Sequence, residues 1–449
     1  GDATLFETIP YLAVTLDAAA LQRLAASGSV ASIEEDFAVR PTLAQSVPLI
    51  EANKAWAKGF TGAGSYVAIL DTGVAKNHPM LRGKVVSEAC YSTTLASARA
   101  SSLCPGGAAS STAPGSALNC PDEVADCQHG THVASIAAGS SARLKGVAPG
   151  AKVIAIQVFS RSQSARECGI FLPCAVAFNS DIIRGLERVY ALRTSFRIAA
   201  ANLSLGDETF AGFCDNRPIK QVIDRLRRAG IATTIASGNF GLNGKVSWPA
   251  CVSSAVTVGS TTKTDQISDF SNHATMVDLL APGSDITAAV PGGYAAMSGT
   301  SMAAPHVAGA LALLRQIYPN WRVEELKALV MNSATTQIRQ NENITATLYS
   351  PARVGAGRLD LERAQKTPAI VANADDPGLV SLSFGSPEVL TTATALKNLR
   401  LANKSGQPVA YTLSYASVTD TPGVRFQWPT QTITAPGPAA RSLRGSART

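Results

Sequence analysis

Charged residues are scarce in this chain of 449 residues, since Asp, Glu, Lys and Arg make up only 16% of it. Hydrophobic residues make up 46%, and this combination excludes disorder over most of the length. The net charge of +7 is spread along the chain. The densest basic cluster, Arg225, Arg227 and Arg228, lacks interleaved aromatic residues. We therefore expect a solvated helix face and no nucleic-acid partner.

The chain also lacks an uninterrupted apolar run long enough to cross a bilayer, which takes about 20 residues in a helix. The best candidate, 303–314, is too short and contains Pro305 and His306. No membrane span is predicted.

No Cys-x-x-Cys pair occurs among the eight cysteines, and several of them lie in loop-like sequence. The even number and this placement favour disulfides over a zinc site, and with them an oxidising compartment. We expect a secreted protein, whether extracellular, periplasmic or on the cell surface. Connectivity does not follow from sequence; the pairs Cys168–Cys174 and Cys214–Cys251 are hypotheses.

Four pieces follow one another along the chain. Residues 1–43 are predicted as strand, strand, helix, strand, a piece short for an independent core. Residues 44–366 alternate strands with helices, interrupted at about 89–126 by an insertion that resembles a disulfide-held surface loop. Residues 367–435 alternate like a small antiparallel β-sandwich, and 436–449 lack a strand pattern and are predicted to be a flexible tail.

The second piece predicts an α/β fold, a doubly wound and mostly parallel sheet flanked by helices. Runs such as "SYVAILD", "KVIAIQVF" and "GIATTIASG" suit strands buried on both faces. Two apolar stripes at helical spacing lie between such runs, one from Ile182 to Tyr190 and one from Ile219 to Leu226. In sheets of this kind, sites form at the carboxyl ends of the strands.

Four polar residues occupy strand ends or helix starts: Asp71, His129, Asn239 and Ser301. Taken singly, each has an ordinary structural explanation, such as a turn residue or a helix N-cap. Together they are what acyl transfer needs. A serine needs an imidazole to take its proton, the imidazole needs a buried carboxylate, and the oxyanion needs donors such as an Asn amide and the Ser301 N–H.

The segments "ILDTGV", "HGTHVAS", "ASGNFG" and "GTSMAAPHVAGA" resemble the four signature segments of the subtilisin-like serine proteases, and the order Asp, His, Ser along the chain also matches. The resemblance covers about residues 44–365. It implies that Asp71 orients His129, that His129 is general base and then general acid, and that Ser301 forms the acyl-enzyme. Asn239 and Ser301 would form the oxyanion hole.

The same resemblance implies a substrate-binding cleft and several structural histidines. The segment Ser204, Leu205 and Gly206 is similar to the one that lines the family's primary specificity pocket, and Ala236, Ser237 and Gly238 would line the site beside it. His132 and His306 would be packing residues. His78 and His273 are expected at the surface.

The flanking pieces resemble accessory parts of the family. "AQSVPLIEANKAW" is similar to the start of a mature subtilisin, and residues 1–43 resemble the second half of its inhibitory prodomain. This implies a zymogen that cleaves itself between Leu43 and Ala44, with the prodomain as intramolecular inhibitor. The C-terminal piece resembles a fibronectin type III-like domain. A monomer is expected.

The usual tight calcium site of the family is expected to be absent. Met80 stands where the family has an Asp ligand, and a thioether is a poor ligand for calcium. No cofactor is expected to be required. Asp122, Glu123 and Asp126 are an alternative calcium site, weighed against a solvated acidic loop.

Two other functions remain open from the sequence. A peptide ligase or cyclase would share the fold but transfer the acyl group to an amine. A non-catalytic binding protein on a protease scaffold is disfavoured because no catalytic residue has been lost. If His129 acts as a base, activity should rise as the pH increases past the pKa of His129, and it should be highest at neutral to alkaline pH.

Overall fold

The computed structural model describes residues 3–5, 12–14, 16–30, 33, 43–341, 346–376, 378–384, 392–417, 422–427, 431–437 and 440–448. The chain divides into two compact units, Gly1–Arg40 and Pro41–Thr449.

The strands are β1 (Ala3–Leu5), β2 (Leu12–Val14), β3 (Tyr66–Asp71), β4 (Val85–Tyr91), β5 (Ala100–Ser102), β6 (Ser110–Ser111), β7 (Lys152–Gln157), β8 (Phe159–Ser162), β9 (Cys174–Ala177), β10 (Ile198–Leu203), β11 (Thr209–Phe210), β12 (Ala232–Ala236), β13 (Val246–Ser247), β14 (Val256–Thr261), β15 (Leu279–Pro282), β16 (Ile286–Val290), β17 (Gly293–Met297), β18 (Ala369–Asn373), β19 (Thr394–Asn403), β20 (Val409–Thr412), β21 (Arg425–Gln427), β22 (Thr432–Ala435) and β23 (Ala440–Arg448). The helices are α1 (Ala18–Ala26), α2 (Leu43–Leu49), α3 (Ala52–Ala57), α4 (His129–Ala138), α5 (Ala165–Cys168), α6 (Asn179–Ala191), α7 (Ile219–Arg228), α8 (Thr300–Ile317), α9 (Val323–Asn332), α10 (Pro351–Val354) and α11 (Leu361–Lys366).

The N-terminal unit contains an antiparallel pair, β1 with β2, followed by α1. The Asp17 side chain caps α1 by accepting a hydrogen bond from Ala20 N at 2.7 Å. None of the residues of α1 is fully buried, consistent with a piece too short for its own core. The strand predicted after α1 lies largely outside the described residues.

An eight-stranded sheet organises the second unit, in the order β15-β14-β12-β10-β3-β7-β4-β6. All neighbouring strands are parallel except β4 and β6, which pair antiparallel. The predicted parallel α/β sheet is confirmed. Side chains of β3 alternate between two cores, with Val67 and Ile69 in one and Ala68 and Leu70 in the other, because both faces of the sheet are covered by helices.

Helices α4 and α8 cover one face of this sheet and α6 and α7 the other. The two predicted apolar stripes are confirmed, since Ile182 and Leu186 of α6 and Ile223 and Leu226 of α7 are buried in one cluster. The basic cluster on α7 is only partly solvated. Arg225 and Arg228 are exposed, but Arg227 is half-buried and pairs with Glu324 of α9.

All eight cysteines lie in the described part of the chain and form four disulfides: Cys90–Cys104, Cys120–Cys127, Cys168–Cys174 and Cys214–Cys251. Both hypothesised pairs are therefore present. The insertion at 89–126 is more ordered than the predicted surface loop. It supplies β6 at the edge of the main sheet and β5, which joins β8 and β9 in a second sheet.

The C-terminal residues form two small antiparallel sheets, β18-β19-β23-β21 and β20-β22. Leu401 of the first sheet packs with Ile433 and Ala435 of the second. The prediction of a strandless tail at 436–449 is wrong, because Ala440–Arg448 pairs along β19. This segment forms a strand because it pairs with the long strand β19. Its own sequence has no alternation of apolar residues from which a strand could be predicted. The domain boundaries remain predictions.

Within the described residues, no helix is long and apolar enough to cross a membrane.

Three histidines outside the predicted catalytic set lie in the protein interior. His132 and His306 are fully buried, and burial lowers the pKa of each to about 4. His306 bonds to Met302 O at 2.8 Å and to Ser46 Oγ at 2.9 Å. The expectation that His78 lies at the surface is wrong. Its ring contacts Gly293 O at 3.0 Å, and burial lowers its pKa.

These buried histidines should make the fold sensitive to mild acid. In the unfolded chain His132 and His306 take up protons near pH 6.5, whereas in the folded chain they stay neutral down to about pH 4. Stability present above pH 6.5 is therefore lost as pH falls towards 4. Between pH 6.5 and 5 the free energy of unfolding should fall with a slope approaching about 2.7 kcal/mol per pH unit, about 1.36 for each histidine.

Urea unfolding of a Ser301→Ala variant, chosen to prevent self-digestion, measures this slope at intervals between pH 7 and pH 5. A further His306→Gln substitution removes one of the titrating groups and should reduce the slope by about 1.36 kcal/mol per pH unit. A free energy of unfolding that stays flat over this window would contradict the assignment of both groups as buried and neutral.

Candidate active site

Three neighbouring strands end at one edge of the sheet, and their ends build the site. Asp71 is the last residue of β3, Ser204–Gly206 follow β10, and Asn239 follows β12. Two helices begin at the same edge, α4 with His129 and α8 with Ser301 in its first turn. The fold therefore brings all four predicted residues together, as expected where the carboxyl ends of parallel strands converge.

Asp71 is fully buried and uses one carboxylate oxygen for two bonds. Its Oδ1 accepts from His129 Nδ1 at 2.8 Å and from Thr72 N at 2.8 Å. Because a carboxylate can only accept, His129 carries its proton on Nδ1 and leaves the Nε2 lone pair free to receive another. This is the tautomer that a general base requires.

The close approach of α4 to Asp71 depends on a glycine. A Cβ at Gly130 would lie 2.3 Å from Gly73 O and 3.1 Å from Asp71 Oδ1. The Gly130 N–H donates to Thr72 Oγ1 at 3.0 Å, and that hydroxyl donates to Cys127 O at 3.1 Å. These bonds fix the start of the helix, and with it His129, against the end of β3.

Burial alone would lower the pKa of His129, but the charge of Asp71, its hydrogen bond and the charge of Asp126 outweigh burial and raise it. The side chain is 21% exposed. Among the described residues, the titratable groups that act on this ring are Asp71, Asp126 and the neutral His132. The imidazolium form is therefore stabilised, as a proton acceptor needs.

Ser301 lies against the end of β10 through a reciprocal pair of bonds. Its Oγ donates to Ser204 O at 3.2 Å, and Ser204 Oγ donates to Ser301 O at 2.7 Å. Ser301 and His129 line one cavity of about 330 Å³. In this structure the Ser301 hydroxyl donates to Ser204 O, and hydrogen bonds between a serine nucleophile and its base often tighten only when substrate is present.

The amide of Asn239 is held by Thr300. Asn239 Oδ1 accepts from both Thr300 N and Thr300 Oγ1 at 2.8 Å, so its NH₂ group is left as a donor facing the cavity beside Gly299. The N–H of Ser301, in the first turn of α8, has no partner within its helix. Two donors of this kind can stabilise an oxyanion.

A second cavity, about 250 Å³ in volume, adjoins the first and also contains His129 and Ser301. Of the residues predicted to bind substrate, five line it: Ser204, Leu205, Gly206, Ala236 and Gly238. Ser237 does not, because its hydroxyl is buried and donates to Asn272 O at 2.8 Å.

Other lining residues were not predicted from the sequence to belong to the active site. Phe159, Ala175 and Phe240 border the second cavity, and Asp126 borders both. The sequence feature that could have identified Asp126 is its position three residues before His129. No sequence feature identifies Phe159 and Phe240 as cavity residues, because their positions depend on how β8, β9 and the loop after β12 pack together.

The residues considered for calcium do not come together. Met80 is fully buried, and its N–H donates to His78 Nδ1 at 3.1 Å. Asp122, Glu123 and Asp126 are exposed. Among the described residues, no group of three or more His, Cys, Asp or Glu could hold a metal ion. The absence of the usual calcium site remains a prediction based on Met80.

A buried carboxylate lies against an oriented imidazole, and the imidazole shares a cavity with a serine hydroxyl; these are the groups that serine hydrolases use. Residues 62–357 match the family described as "Subtilase family". The chain is 34% identical over 338 residues to an alkaline protease of Alkalihalobacillus alcalophilus, covering 74% of this chain and 76% of that protein. It is 32% identical over 344 residues to subtilisin E of Bacillus subtilis strain 168, covering 74% and 77%.

A crystal structure of a cold adapted subtilisin-like serine proteinase is 28% identical and covers 67% of this chain and 90% of that one, with a TM-score of 0.47. On the sequence matches, the chain belongs to the subtilase family and is a serine endopeptidase.

Asp126 provides a direct test of the electrostatics of this site. Replacing it by Asn removes a charge that raises the pKa of His129, so the imidazole becomes neutral at lower pH. The rise of kcat/KM with pH should move to lower pH, and the difference from wild type should shrink in high salt because Asp126 is exposed. Asp122→Asn, in the same loop but outside both cavities, should leave the profile unchanged. Superimposable profiles for wild type and Asp126→Asn would refute the proposed coupling.

Proposed function

We propose that the protein hydrolyses peptide bonds through an acyl-enzyme on Ser301, with His129 as general base and acid and Asp71 as its buried partner. The observation that supports this most directly is the 2.8 Å bond from His129 Nδ1 to Asp71 Oδ1 beside the cavity that contains Ser301. The bond fixes the tautomer whose Nε2 can take the serine proton.

In the first half-reaction, Ser301 Oγ forms a bond to the scissile carbonyl carbon as its proton passes to His129 Nε2. The carbonyl oxygen becomes an oxyanion that accepts from Asn239 Nδ2 and the Ser301 N–H. His129 then gives its proton to the leaving amine as the C–N bond breaks. In the second half-reaction, water gives a proton to Nε2 and its oxygen to the acyl carbon, and Ser301 leaves with the proton.

The substrates are polypeptides, and the second cavity is proposed to bind their acyl side. Ser204, Leu205, Gly206, Ala236 and Gly238 line this cavity, and the small residues among them permit close approach of a substrate backbone. The His129 side chain is 21% exposed, which leaves a route for water to the acyl-enzyme, and we take hydrolysis and not transfer to an amine as the reaction.

Secretion and action as a monomer are part of the same proposal. Four disulfides suit an oxidising compartment.

A fluorophosphonate tests the nucleophile. Ser301 should acquire one adduct, because only an activated hydroxyl attacks such a reagent, and Ser301→Ala should acquire none. Intact mass and peptide mapping measure this. Ser298→Ala is the matched control, since Ser298 lines the same cavity but its hydroxyl donates to Asp285 Oδ1 at 3.3 Å. An adduct that persists in Ser301→Ala, or that requires Ser298, would exclude the proposed nucleophile.

Maturation is proposed to occur by self-cleavage between Leu43 and Ala44. Leu43 begins α2 and is only 1% exposed, packed in the core with Val47 and Ile50. A peptide bond must be extended to lie across a protease site, so α2 is proposed to form only after this bond is cut.

N-terminal sequencing of the chain after incubation checks the cleavage. A new terminus at Ala44 should form in the wild type and not in Ser301→Ala, because the cleavage uses the same serine. Mixing trace active enzyme with the Ser301→Ala chain distinguishes cutting within one molecule from cutting between molecules. A terminus elsewhere, or processing of Ser301→Ala alone, would contradict self-cleavage at this bond.

A further inference from the structure

A fully buried asparagine packs against the loop that carries Asn239. Asn272 lies in the segment between β14 and β15 and has no exposed surface. A polar side chain in the protein interior needs partners for its hydrogen-bonding groups. The partners of the Asn272 amide therefore show which part of the chain it holds.

The side-chain amide of Asn272 bonds to the loop on both sides of Asn239. Its Oδ1 accepts from the Phe240 N–H and from the Leu242 N–H, each at 3.0 Å. Its Nδ2 donates to Ser237 O at 3.3 Å. One planar group thus joins the residues before Asn239 to the residues after it.

The backbone of Asn272 adds two further bonds to the same loop. Its N–H donates to Gly238 O at 2.9 Å, and its carbonyl oxygen accepts from Ser237 Oγ at 2.8 Å. A change in the backbone angles of this loop would break several of these bonds at once. The conformation around Asn239 is therefore tightly constrained.

Gly238 makes this close packing possible. Its φ is 110°, and a Cβ at this position would lie 2.4 Å from Asn272 Nδ2 and 2.2 Å from Ser247 Oγ. Only a glycine adopts this conformation without strain and leaves room for the amide. The loop can therefore approach Asn272 closely at the residue just before Asn239.

Asn272 is itself held against the main sheet. Ser271 Oγ accepts from Ser260 N at 3.0 Å, and Ser268 N donates to Ser260 O at 3.0 Å. Ser260 belongs to β14, which is the neighbour of β12 in the sheet. The loop of Asn239 is thus joined to the sheet through Asn272 as well as by its direct continuation from β12.

We propose that Asn272 is a positioning residue for the oxyanion hole, which fixes the backbone around Asn239 so that the Asn239 amide is directed into the cavity. Thr300 holds the Oδ1 end of the Asn239 side chain, but the backbone that carries this side chain must also be fixed. Asn272 supplies that second constraint. The inference deepens the proposed function and rests on it, because it takes Asn239 Nδ2 as a donor to the oxyanion.

Loss of the Asn272 amide should weaken binding of the transition state. Oxyanion donors are effective when they are in place before the charge develops, and a misplacement of about 1 Å can cost about 100-fold in rate. Asn272→Ala should therefore lower kcat about 10- to 100-fold, with a smaller change in KM. Steady-state cleavage of a peptide substrate measures both constants. A loss confined to KM would overturn the proposal.

A double-mutant cycle with Asn239→Ala separates positioning from a general structural effect. If Asn272 acts through the Asn239 amide, Asn272→Ala should change kcat by no more than about twofold in the Asn239→Ala background. Full additivity of the two losses would contradict the proposal. The single variant Asn239→Ala tests the proposed function separately. If it keeps the kcat of the wild type, the oxyanion role of Asn239 fails, and the role of Asn272 fails with it.

Asn403→Ala is the matched control. Asn403 is 1% exposed, and its amide donates to Gln407 O at 2.8 Å and to Ala435 O at 3.0 Å in the C-terminal sheets. This variant should lose stability as Asn272→Ala does but keep its kcat. Rates are expressed per active site, counted after the fluorophosphonate reaction has run to completion, so that a misfolded fraction does not contribute. An equal fall in kcat for both variants would refute a specific role of Asn272.

A small fluorophosphonate separates the oxyanion hole from the wall of the second cavity, which Gly238 and Phe240 line. The reagent places its phosphoryl oxygen among the oxyanion donors but does not extend along the cavity as a peptide does. Asn272→Ala should lower the rate constant for inactivation by about 10- to 100-fold. An unchanged rate constant with impaired peptide cleavage would assign Asn272 to substrate binding and overturn the proposal.

A second variant covers the case in which Asn272→Ala gives no folded protein. The hydroxyl of Asn272→Ser can still accept a hydrogen bond from one N–H of the loop, so this variant should show a smaller fall in kcat. It takes the place of Asn272→Ala in the same cycle with Asn239→Ala and in the same inactivation measurement. Additive losses of kcat would again count against the proposal.

Discussion

The carboxylate of Asp71 has no exposed surface, and a charge in that position must be compensated by its neighbours. Thr72 N and His129 Nδ1 supply donors to the same oxygen, and α4 can bring His129 there only because Gly130 has no Cβ to strike Gly73 O. The end of β3, the start of α4 and the tautomer of the imidazole are thus one coupled arrangement. The remaining parts of the site, Ser301 and Asn239, approach this pair from α8 and β12.

The main sheet and the four residues at its edge could be predicted from the sequence because both depend on local signals. Runs buried on both faces identify parallel strands, and the carboxyl ends of such strands converge whatever the intervening loops do. The apolar stripes of α6 and α7 were predictable for the same reason, since periodicity records which face meets the sheet.

What could not be predicted depends on partners distant in the chain. His78 is buried because Gly293 O and the surrounding core lie against it. The sequence near position 78 does not indicate that these distant groups will be in contact with it. The strand Ala440–Arg448 is created by β19. Ser237 faces Asn272 and not the cleft, although its neighbours Ala236 and Gly238 line it, because its hydroxyl donates to Asn272 O, a group 35 residues further along the chain.

The loop between Cys168 and Cys174 buries its two cysteines, whereas Ile170, Phe171 and Leu172 contribute nothing to the core. Substitutions at these three positions therefore carry little cost in folding, and they leave the bonds around Asp71 and His129 undisturbed. Such a segment can vary in sequence between related proteins while the arrangement at the edge of the main sheet is kept.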